Sequence, residues 1–348
     1  MVGKEDLLAS HLRFGRDHGS RRVRLVSVVL VCVVALFGAG CRSLAPKLGL
    51  INTQYAAPPQ WPLVGDPFVL PAGGQYYVFG SDLWPFKRLP IQAVGSLTQT
   101  YNKGNWVALT FEGMPQRPAW AFDDTLWAPT VGLFASGYVL FFSAHYGSTA
   151  RQCIGRAFAS APGGPYVPEA APFNCGLDGY RGALDPSLFQ GPNGQWYLHA
   201  AFADTEAPIY GIPLDAYANA AGAPSLVLGK SFPWEGRFIE NPSMTYDWTT
   251  NTYLLAYSAG DWWTPSYVTG LARCGTPLGP CSSNPGGPWL VSGSGRTGVG
   301  GLSFFYSYDG GTKAVYASFA AGSEGAGQDR AGTVASVALG NAPALGPP

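Results

Sequence analysis

Three carboxylate residues occupy similar places in the sequence and could together perform general acid–base chemistry. Asp66 and Asp185 each precede a proline at the start of a β-favouring run, and Glu240 lies two residues before Pro242 in a third such run. Each alone is weak evidence, because aspartate and asparagine before proline commonly start turns. If the fold brings the three acids together, their mutual repulsion indicates a functional use.

These carboxylates belong to a repeated unit of strand, tight turn and aromatic-rich second strand. The clearest copy is 184–202, in which Pro192-Asn193-Gly194 supplies the turn. Five copies follow one another at intervals of about 55 to 61 residues. They begin at Asp66, Trp127, Asp185, Glu240 and, more weakly, Gly301.

This period predicts an all-β fold, a five-bladed β-propeller over residues 61–340. A strand near 333–339 could close the last blade. The first strand of each blade would line the central axis, so the heads of these strands would converge at one end, here called the mouth. A β-sandwich is the alternative, but it does not require so long a period.

The composition agrees with many short strands, since the 348 residues include 47 glycines and 30 prolines. The 21 basic residues balance the 21 acidic ones, so the sequence lacks the broad basic surface typical of nucleic-acid binding. We therefore expect no nucleic-acid partner. We expect the protein to be a monomer.

Residues 1–41 are predicted to be an export signal. Arginines at 21, 22 and 24 precede the apolar run 25–37, which is short for a membrane span. Gly38-Ala39-Gly40 before Cys41 resembles a bacterial lipobox, so Cys41 is predicted to be lipidated. An uncleaved anchor and plain secretion are the alternatives. The protein would then be an exported bacterial protein, either a cell-surface lipoprotein or secreted, with membrane contact only through the lipid anchor.

Two further segments flank the propeller. Residues 42–60 are predicted to be a tether, and residues 341–348, rich in Ala, Gly and Pro, a loose tail.

Cysteine usage agrees with export. Outside the signal the chain contains Cys153, Cys175, Cys274 and Cys281, and four cysteines in an oxidising compartment suggest two disulfides. Pairing by proximity gives Cys153–Cys175 and Cys274–Cys281. A metal site is the alternative, but no CxxC or HExxH spacing is present. We therefore predict neither a metal nor a cofactor.

The repeats also resemble glycoside hydrolase family 43, five-bladed propellers that cleave furanoside and pyranoside linkages of polysaccharides. The resemblance extends over nearly the whole domain. The matching stretches are 65–70 with Tyr76-Tyr77, Leu126-Trp127-Ala128-Pro129, 184–189, 239–242 and 257–260.

The resemblance implies an inverting glycoside hydrolase. Asp66 would be the general base, Glu240 the general acid, and Asp185 the modulator that orients the acid and raises its pKa. Arabinofuranosyl linkages of a polysaccharide are the favoured substrate, with xylosyl or galactosyl linkages next. The rivals are a non-catalytic carbohydrate-binding surface lipoprotein and a purely structural propeller, and the three acids disfavour both.

Three positions depart from the family's usual pattern. Thr130 replaces an acid after the Trp-Ala-Pro stretch, and Asn241 replaces the small residue that often precedes the proline. Gly298-Val299-Gly300-Gly301 lacks the histidine that many members place on the axis, sometimes with a metal. These differences make an axial ion unexpected.

Aromatic side chains near the mouth could stack against the apolar faces of sugar rings. The alternative for each of them is packing within or between blades. Trp127 is favoured for a site role because its strand-head position matches the family's Trp-Ala-Pro element. Arg273 and Arg296 could donate hydrogen bonds to sugar hydroxyls. The tryptophans that lie in predicted mouth segments are Trp84, Trp120, Trp127, Trp262 and Trp263.

Overall fold

The computed structural model describes residues 60–81, 88–149, 151–177, 182–203, 207–293, 295–307, 313–323 and 330–348. All of them belong to one compact unit, Pro46–Pro348. The predicted signal, the lipidation site Cys41, the tether up to residue 59 and Trp84 lie outside the described residues.

Five antiparallel sheets form the blades of a five-bladed β-propeller, as predicted. The N-terminal strand β1 (Trp61–Pro62) belongs to the last blade. Blade I contains β2 (Phe68–Ala72), β3 (Gln75–Phe79), β4 (Pro90–Val94) and β5 (Phe111–Glu112); blade II contains β6 (Ala121–Phe134), β7 (Gly137–Tyr146), β8 (Gln152–Ala159) and β9 (Val167–Pro168); blade III contains β10 (Ala183–Gln190), β11 (Trp196–Phe202), β12 (Ile209–Leu214) and β13 (Ser225–Leu228); blade IV contains β14 (Ile239–Asp247), β15 (Thr252–Ala259), β16 (Val268–Cys274) and β17 (Cys281–Ser283); blade V contains β18 (Arg296–Ser307), β19 (Ala314–Ser323), β20 (Arg330–Ala338) and β21 (Ala344–Gly346).

The tight turns between first and second strands lie where the sequence places them. Gly73 and Gly74 have φ angles of 58° and 75°, and Gly194 has 80°, which glycine adopts without steric cost. The second strands are buried along most of their length, as in β11, because a neighbouring blade covers each of their faces. This explains why they are largely apolar along their length rather than alternating between apolar and polar residues.

The hydrophobic core is divided into five clusters, each lying between two neighbouring blades. The cluster between blades I and II, for example, includes Phe79 and Phe142, and the cluster between blades V and I includes Trp61 and Val334. Because apolar burial stabilises in proportion to area, these contacts join the blades into a ring. The remaining clusters lie between blades II and III, III and IV, and IV and V.

The ring is closed by both ends of the described chain. β1 pairs with the start of β20 and β21 with its end. Gln60 strengthens the closure, because its side-chain oxygen accepts the backbone N–H of Val334 at 2.6 Å and its Nε2 donates to the Leu97 carbonyl at 2.6 Å. The strand predicted near 333–339 is confirmed as β20. The tail was expected to be loose and instead adds β21, since the outer edge of β20 offers unpaired backbone groups.

One feature of blade I was not expected from the sequence. The helix α1 (Lys103–Leu109) begins after Asn102, whose side chain accepts the N–H of Asn105 at 2.8 Å. The helix buries Trp106 against Trp61, with ring centroids 6.3 Å apart. No helix among the described residues is long and apolar enough to cross a membrane.

Both predicted disulfides are confirmed. Cys153–Cys175 ties the start of β8 to the loop after β9, and Cys274–Cys281 joins directly opposed residues of β16 and β17. The first lies at the mouth end of blade II and the second at the opposite end of blade IV. Each therefore holds a single blade together rather than linking two blades.

Candidate active site

The first strands share a β-bulge near the mouth: their register shifts in blades II to V, and in blade I the equivalent residue, Asp66, lies just before β2. In blade IV, Glu240 pairs with Ser258 and Ser243 with Ala256, so three steps along the first strand match two along the second. The bulged residue of each blade has a positive φ, between 45° and 62°. These residues are Asp66, Ala128, Asp185, Asn241 and Gly301.

This register shows that the three acids do not occupy equivalent positions. Asp66 and Asp185 are bulged residues, whereas the bulged residue of blade IV is Asn241, and Glu240 precedes it. Glu240 is instead equivalent to Trp127 of blade II. Side chains at these two positions leave the backbone in different directions. Glu240 therefore approaches the mouth in a different orientation from Asp66 and Asp185.

Serines in or just after second strands link three of the bulges to the neighbouring blade. In three blades such a serine oxygen accepts the backbone N–H of the bulged residue of the next blade, at 2.8 to 2.9 Å. These pairs are Ser81 with Ala128, Ser143 with Asp185, and Ser258 with Gly301.

Blades III and V lack this serine, because Ala201 and Ala320 occupy the equivalent position. In blade III this absence explains the position of Asp185. The Asp185 carboxylate serves as the acceptor in place of a serine hydroxyl: its Oδ2 accepts the backbone N–H of Asn241 at 3.1 Å. Asp185 is 4% exposed, and its pKa is raised well above the usual value by burial and by the nearby Glu240 and Asp66 charges.

Asp66 is held at the junction of blades V and I. Ser81 donates to its Oδ2 at 2.6 Å. Its Oδ1 faces Gly301, where a Cβ atom would lie only 2.6 Å away. Glycine at the fifth bulge therefore leaves the space that the Asp66 carboxylate occupies.

Glu240 lies on the other side of the blade V head from Asp66. The hydroxyl of buried Tyr267 donates to its Oε1 at 2.8 Å. Burial raises the pKa of Glu240 to about 7, and the charges of Asp66 and Asp261 act in the same direction, whereas Tyr267 and Arg330 oppose the rise. Burial is thus the main cause, rather than the Asp185 charge expected from the sequence. At neutral pH a substantial fraction of Glu240 carries a proton.

Residues 62–339 match the model of the glycosyl hydrolases family 43. The chain belongs to this family. It is 28% identical over 272 residues to the extracellular endo-α-(1→5)-L-arabinanase 2 of Bacillus subtilis strain 168, covering 71% of this chain and 56% of that protein. It is 26% identical over 243 residues to the extracellular endo-α-(1→5)-L-arabinanase of Thermotoga petrophila, covering 64% and 51%. The chain thus spans about half the length of these curated relatives.

A solved family 43 structure has the same fold. The crystal structure of a thermostable family-43 glycoside hydrolase superposes with a TM-score of 0.70 at 21% identity, covering 85% of this chain and 96% of that one.

Trp127 lies at the mouth, as expected of a family 43 strand head. Its ring meets that of His145 edge to face, with centroids 4.9 Å apart, and His145 Nδ1 lies 3.2 Å from Asp123 Oδ2. Trp262 and Trp263 are 43% and 56% exposed in the loop after β15 and pack edge to face. These three tryptophans can offer ring faces or edges to a sugar.

The structure contradicts two other expectations for substrate contact, those for Arg273 and Arg296. Arg273 lies at the opposite end of blade IV, where it pairs with buried Asp247 at 3.4 Å, roughly 20 Å along β14 from the mouth. Arg296 is buried in blade V and donates to Thr333 at 2.6 Å. Trp120 lies directly before β6, is partly exposed and stacks on Phe142 with centroids 6.1 Å apart, so its contact with substrate stays a prediction.

Two site residues were missed from the sequence, Tyr267 and Arg330. Arg330 stacks over the Tyr267 ring and donates to the carbonyl of Trp262 at 3.2 Å. No motif marks either residue, because both come from third strands, whose starts reach the mouth only through the blade geometry.

The head of blade V does not fit an axial metal ion. The stretch Gly298-Val299-Gly300-Gly301 offers no side-chain ligand. In the part of the chain that the structure describes, no group of three or more His, Cys, Asp or Glu side chains could hold a metal. The absence of a metal or cofactor remains a prediction.

Replacing Gly301 by alanine should lower turnover about 10- to 100-fold, because a Cβ atom would displace the Asp66 carboxylate. The control is Gly73→Ala, which has a similar φ of 58° but open space around it. Both variants acquire comparable backbone strain. Steady-state kinetics and thermal unfolding of the two would separate strain from displacement, and equal turnover in both would contradict the contact.

Proposed function

We propose that the protein is an inverting glycoside hydrolase that cleaves arabinofuranosyl linkages of arabinan. The observation on which this rests is that the fold brings Asp66, Asp185 and Glu240 together at the mouth, where burial raises the pKa of Glu240 to about 7. One acid that retains a proton and one available as a base are what glycoside hydrolysis requires.

In the proposed reaction Asp66 accepts a proton from a water molecule that attacks the anomeric carbon. Glu240 donates its proton to the departing glycosidic oxygen as the bond breaks. Inversion requires room for the water between the two carboxyl groups. Gly301 and Gly300 contribute to the arrangement of the site in another way, because the absence of a Cβ atom lets the Asp66 carboxylate and the Tyr267 ring pack against the head of blade V.

Asp185 is proposed to hold the acid in place rather than to react. Its carboxylate accepts the N–H of Asn241, the residue after Glu240. The contact fixes the backbone from which Glu240 projects. Because Asp185 is buried beside Glu240, a negative charge there favours the protonated acid.

The substrate proposal comes from the two curated relatives, both endo-α-(1→5)-L-arabinanases. Trp127, Trp262 and Trp263 would provide stacking surfaces at the mouth. The word extracellular in both relatives' names supports export, in agreement with the predicted signal. The lipid anchor at Cys41 and the monomeric state remain predictions.

The purified protein should release arabinose or arabino-oligosaccharides from linear α-1,5-arabinan. The rate should be maintained below pH 7 and fall as the pH rises through about 7, because Glu240 then loses the proton it must donate. Chromatography of the products over a pH series measures this. Proton NMR of the earliest product should show inverted anomeric configuration.

Retained configuration would contradict the mechanism. Tight binding of arabinan without any turnover, across a panel of arabinan, xylan and galactan, would favour the non-catalytic carbohydrate-binding alternative.

A further inference from the structure

We propose that Asn241 and Tyr267 form a positioning pair that determines which oxygen of Glu240 carries the catalytic proton. The inference rests on the proposed role of Glu240 as general acid and adds a mechanism for aiming it. Neither residue would touch substrate.

The direction of the hydrogen bonds follows from what each group can donate. Asn241 Nδ2 lies 3.1 Å from the Tyr267 hydroxyl oxygen, and an amide nitrogen can only donate. The single Tyr267 proton is therefore directed to Glu240 Oε1, 2.8 Å away. Since Oε1 is occupied as an acceptor, the proton of the neutral acid resides on Oε2. Glu240 thus presents one defined donor oxygen.

Tyr267 cannot easily leave this position. It is fully buried, and Gly300 is packed so close that a Cβ there would lie 2.3 Å from the ring. On the other side, Arg330 lies over the ring, 5.2 Å from its centroid, and donates to the carbonyls of Gly300 and Ala320. The hydroxyl is therefore held by its surroundings as well as by its hydrogen bonds.

Asn241 connects Asp185 to this pair. Its backbone N–H is bound by Asp185 Oδ2, and its side chain by Tyr267. The bulge itself does not require the amide, since Ala128 has the same backbone conformation with a φ of 49° against 48°. The asparagine that departs from the family's usual small residue thus has a use in this chain. The side chains of Asn241 and Tyr267, both neutral, thus connect Asp185 to Glu240 through hydrogen bonds.

The charged and titratable groups that face Glu240 come from five elements. Removing the Tyr267 hydroxyl deletes a donor that favours the ionised form, so the pKa of Glu240 should rise. Neutralising Asp66, whose charge raises the pKa of Glu240, should have the opposite effect. The groups are Asp66 before β2, Asp185 in β10, Asp261 in the loop after β15, Tyr267 before β16 and Arg330 in β20.

The test compares Tyr267→Phe and Asn241→Ala with Tyr166→Phe. Tyr166 is also fully buried, and its hydroxyl donates to the Pro162 carbonyl at 2.8 Å, but it lies in the loop before β9. We expect kcat on arabinan to fall about tenfold in the first two variants with KM nearly unchanged. The alkaline limb of the kcat profile should move upward by about one pH unit in Tyr267→Phe, and less in Asn241→Ala.

A measurement that does not need activity accompanies the kinetics. The chain has seven glutamates, so carboxyl ¹³C NMR of glutamate-labelled protein, assigned with Glu240→Gln, can follow Glu240 alone. Its titration midpoint should rise in Tyr267→Phe, fall in Asp66→Asn and stay unchanged in Tyr166→Phe.

The kinetics and the titration distinguish failure of this inference from failure of the proposed function. An active wild-type protein whose turnover and Glu240 titration are the same in Tyr267→Phe, Asn241→Ala and Tyr166→Phe would overturn the positioning pair and leave the function intact. An inactive wild type with the expected titration shifts would support the pair and contradict the function. If Tyr267→Phe fails to fold, Asn241→Ala still tests the positioning pair, because Asn241 does not belong to the hydrophobic core.

Discussion

Replacing Glu240 by glutamine should lower the turnover of arabinan by about 10²- to 10⁴-fold, because the departing sugar oxygen loses its proton donor. Most of the rate should return on an aryl arabinofuranoside whose phenol is acidic. Such a leaving group departs as an anion and needs little help from an acid. The ratio of the two rates, measured for wild type and variant, reports the acid role directly.

Asp66→Asn is the matched variant for the base. It should lose a similar factor on both substrates, since activation of the attacking water is required whatever the leaving group. Wild type and both variants should unfold at similar temperatures. If Glu240→Gln were equally impaired on the aryl substrate, Glu240 would not be the acid, and an unimpaired Asp66→Asn would remove Asp66 as the base.

Trp61→Ala should destabilise the propeller by about 3–5 kcal/mol. Trp61 is 0% exposed, stacks on Trp106 and belongs to the short strand that closes the ring. Its loss leaves a cavity between blades V and I that the two-residue strand β1 cannot collapse to fill. For a domain of this size the midpoint of thermal unfolding should fall by about 10 °C.

The control for this prediction is Trp248→Ala, whose side chain is 45% exposed in the turn after β14. Its midpoint should change by only a few degrees, since substitutions at exposed positions have small effects. Calorimetry or circular dichroism measures both. Equal shifts in the two variants would mean that β1 does not hold the ring closed.

The sequence predicted the blades because each repeat keeps the same turn chemistry and aromatic second strand. Asp66 and Asp185 were found for the same reason. The sequence also shows that Glu240 lies one residue farther from its proline than Asp66 and Asp185 do, but only the strand register shows that Asn241 is therefore the bulged residue.

Contacts between distant segments were also beyond the sequence. Gln60 was assigned to a tether, although its side chain bonds to residues 37 and 274 positions away. Arg273 was placed at the mouth, but β16 directs it towards Asp247 at the other end. Strand direction and blade closure decide such cases, and neither leaves a local pattern.

The repeated bulge makes the strand heads attractive places for protein engineering. Aspartate, alanine, asparagine and glycine adopt nearly the same backbone there, with φ between 45° and 62°. New functional groups could therefore be exchanged at a head with little redesign of the main chain. Ala128 is the natural starting point, because it already has the conformation of Asp66 and Asp185 but contributes no functional group of its own.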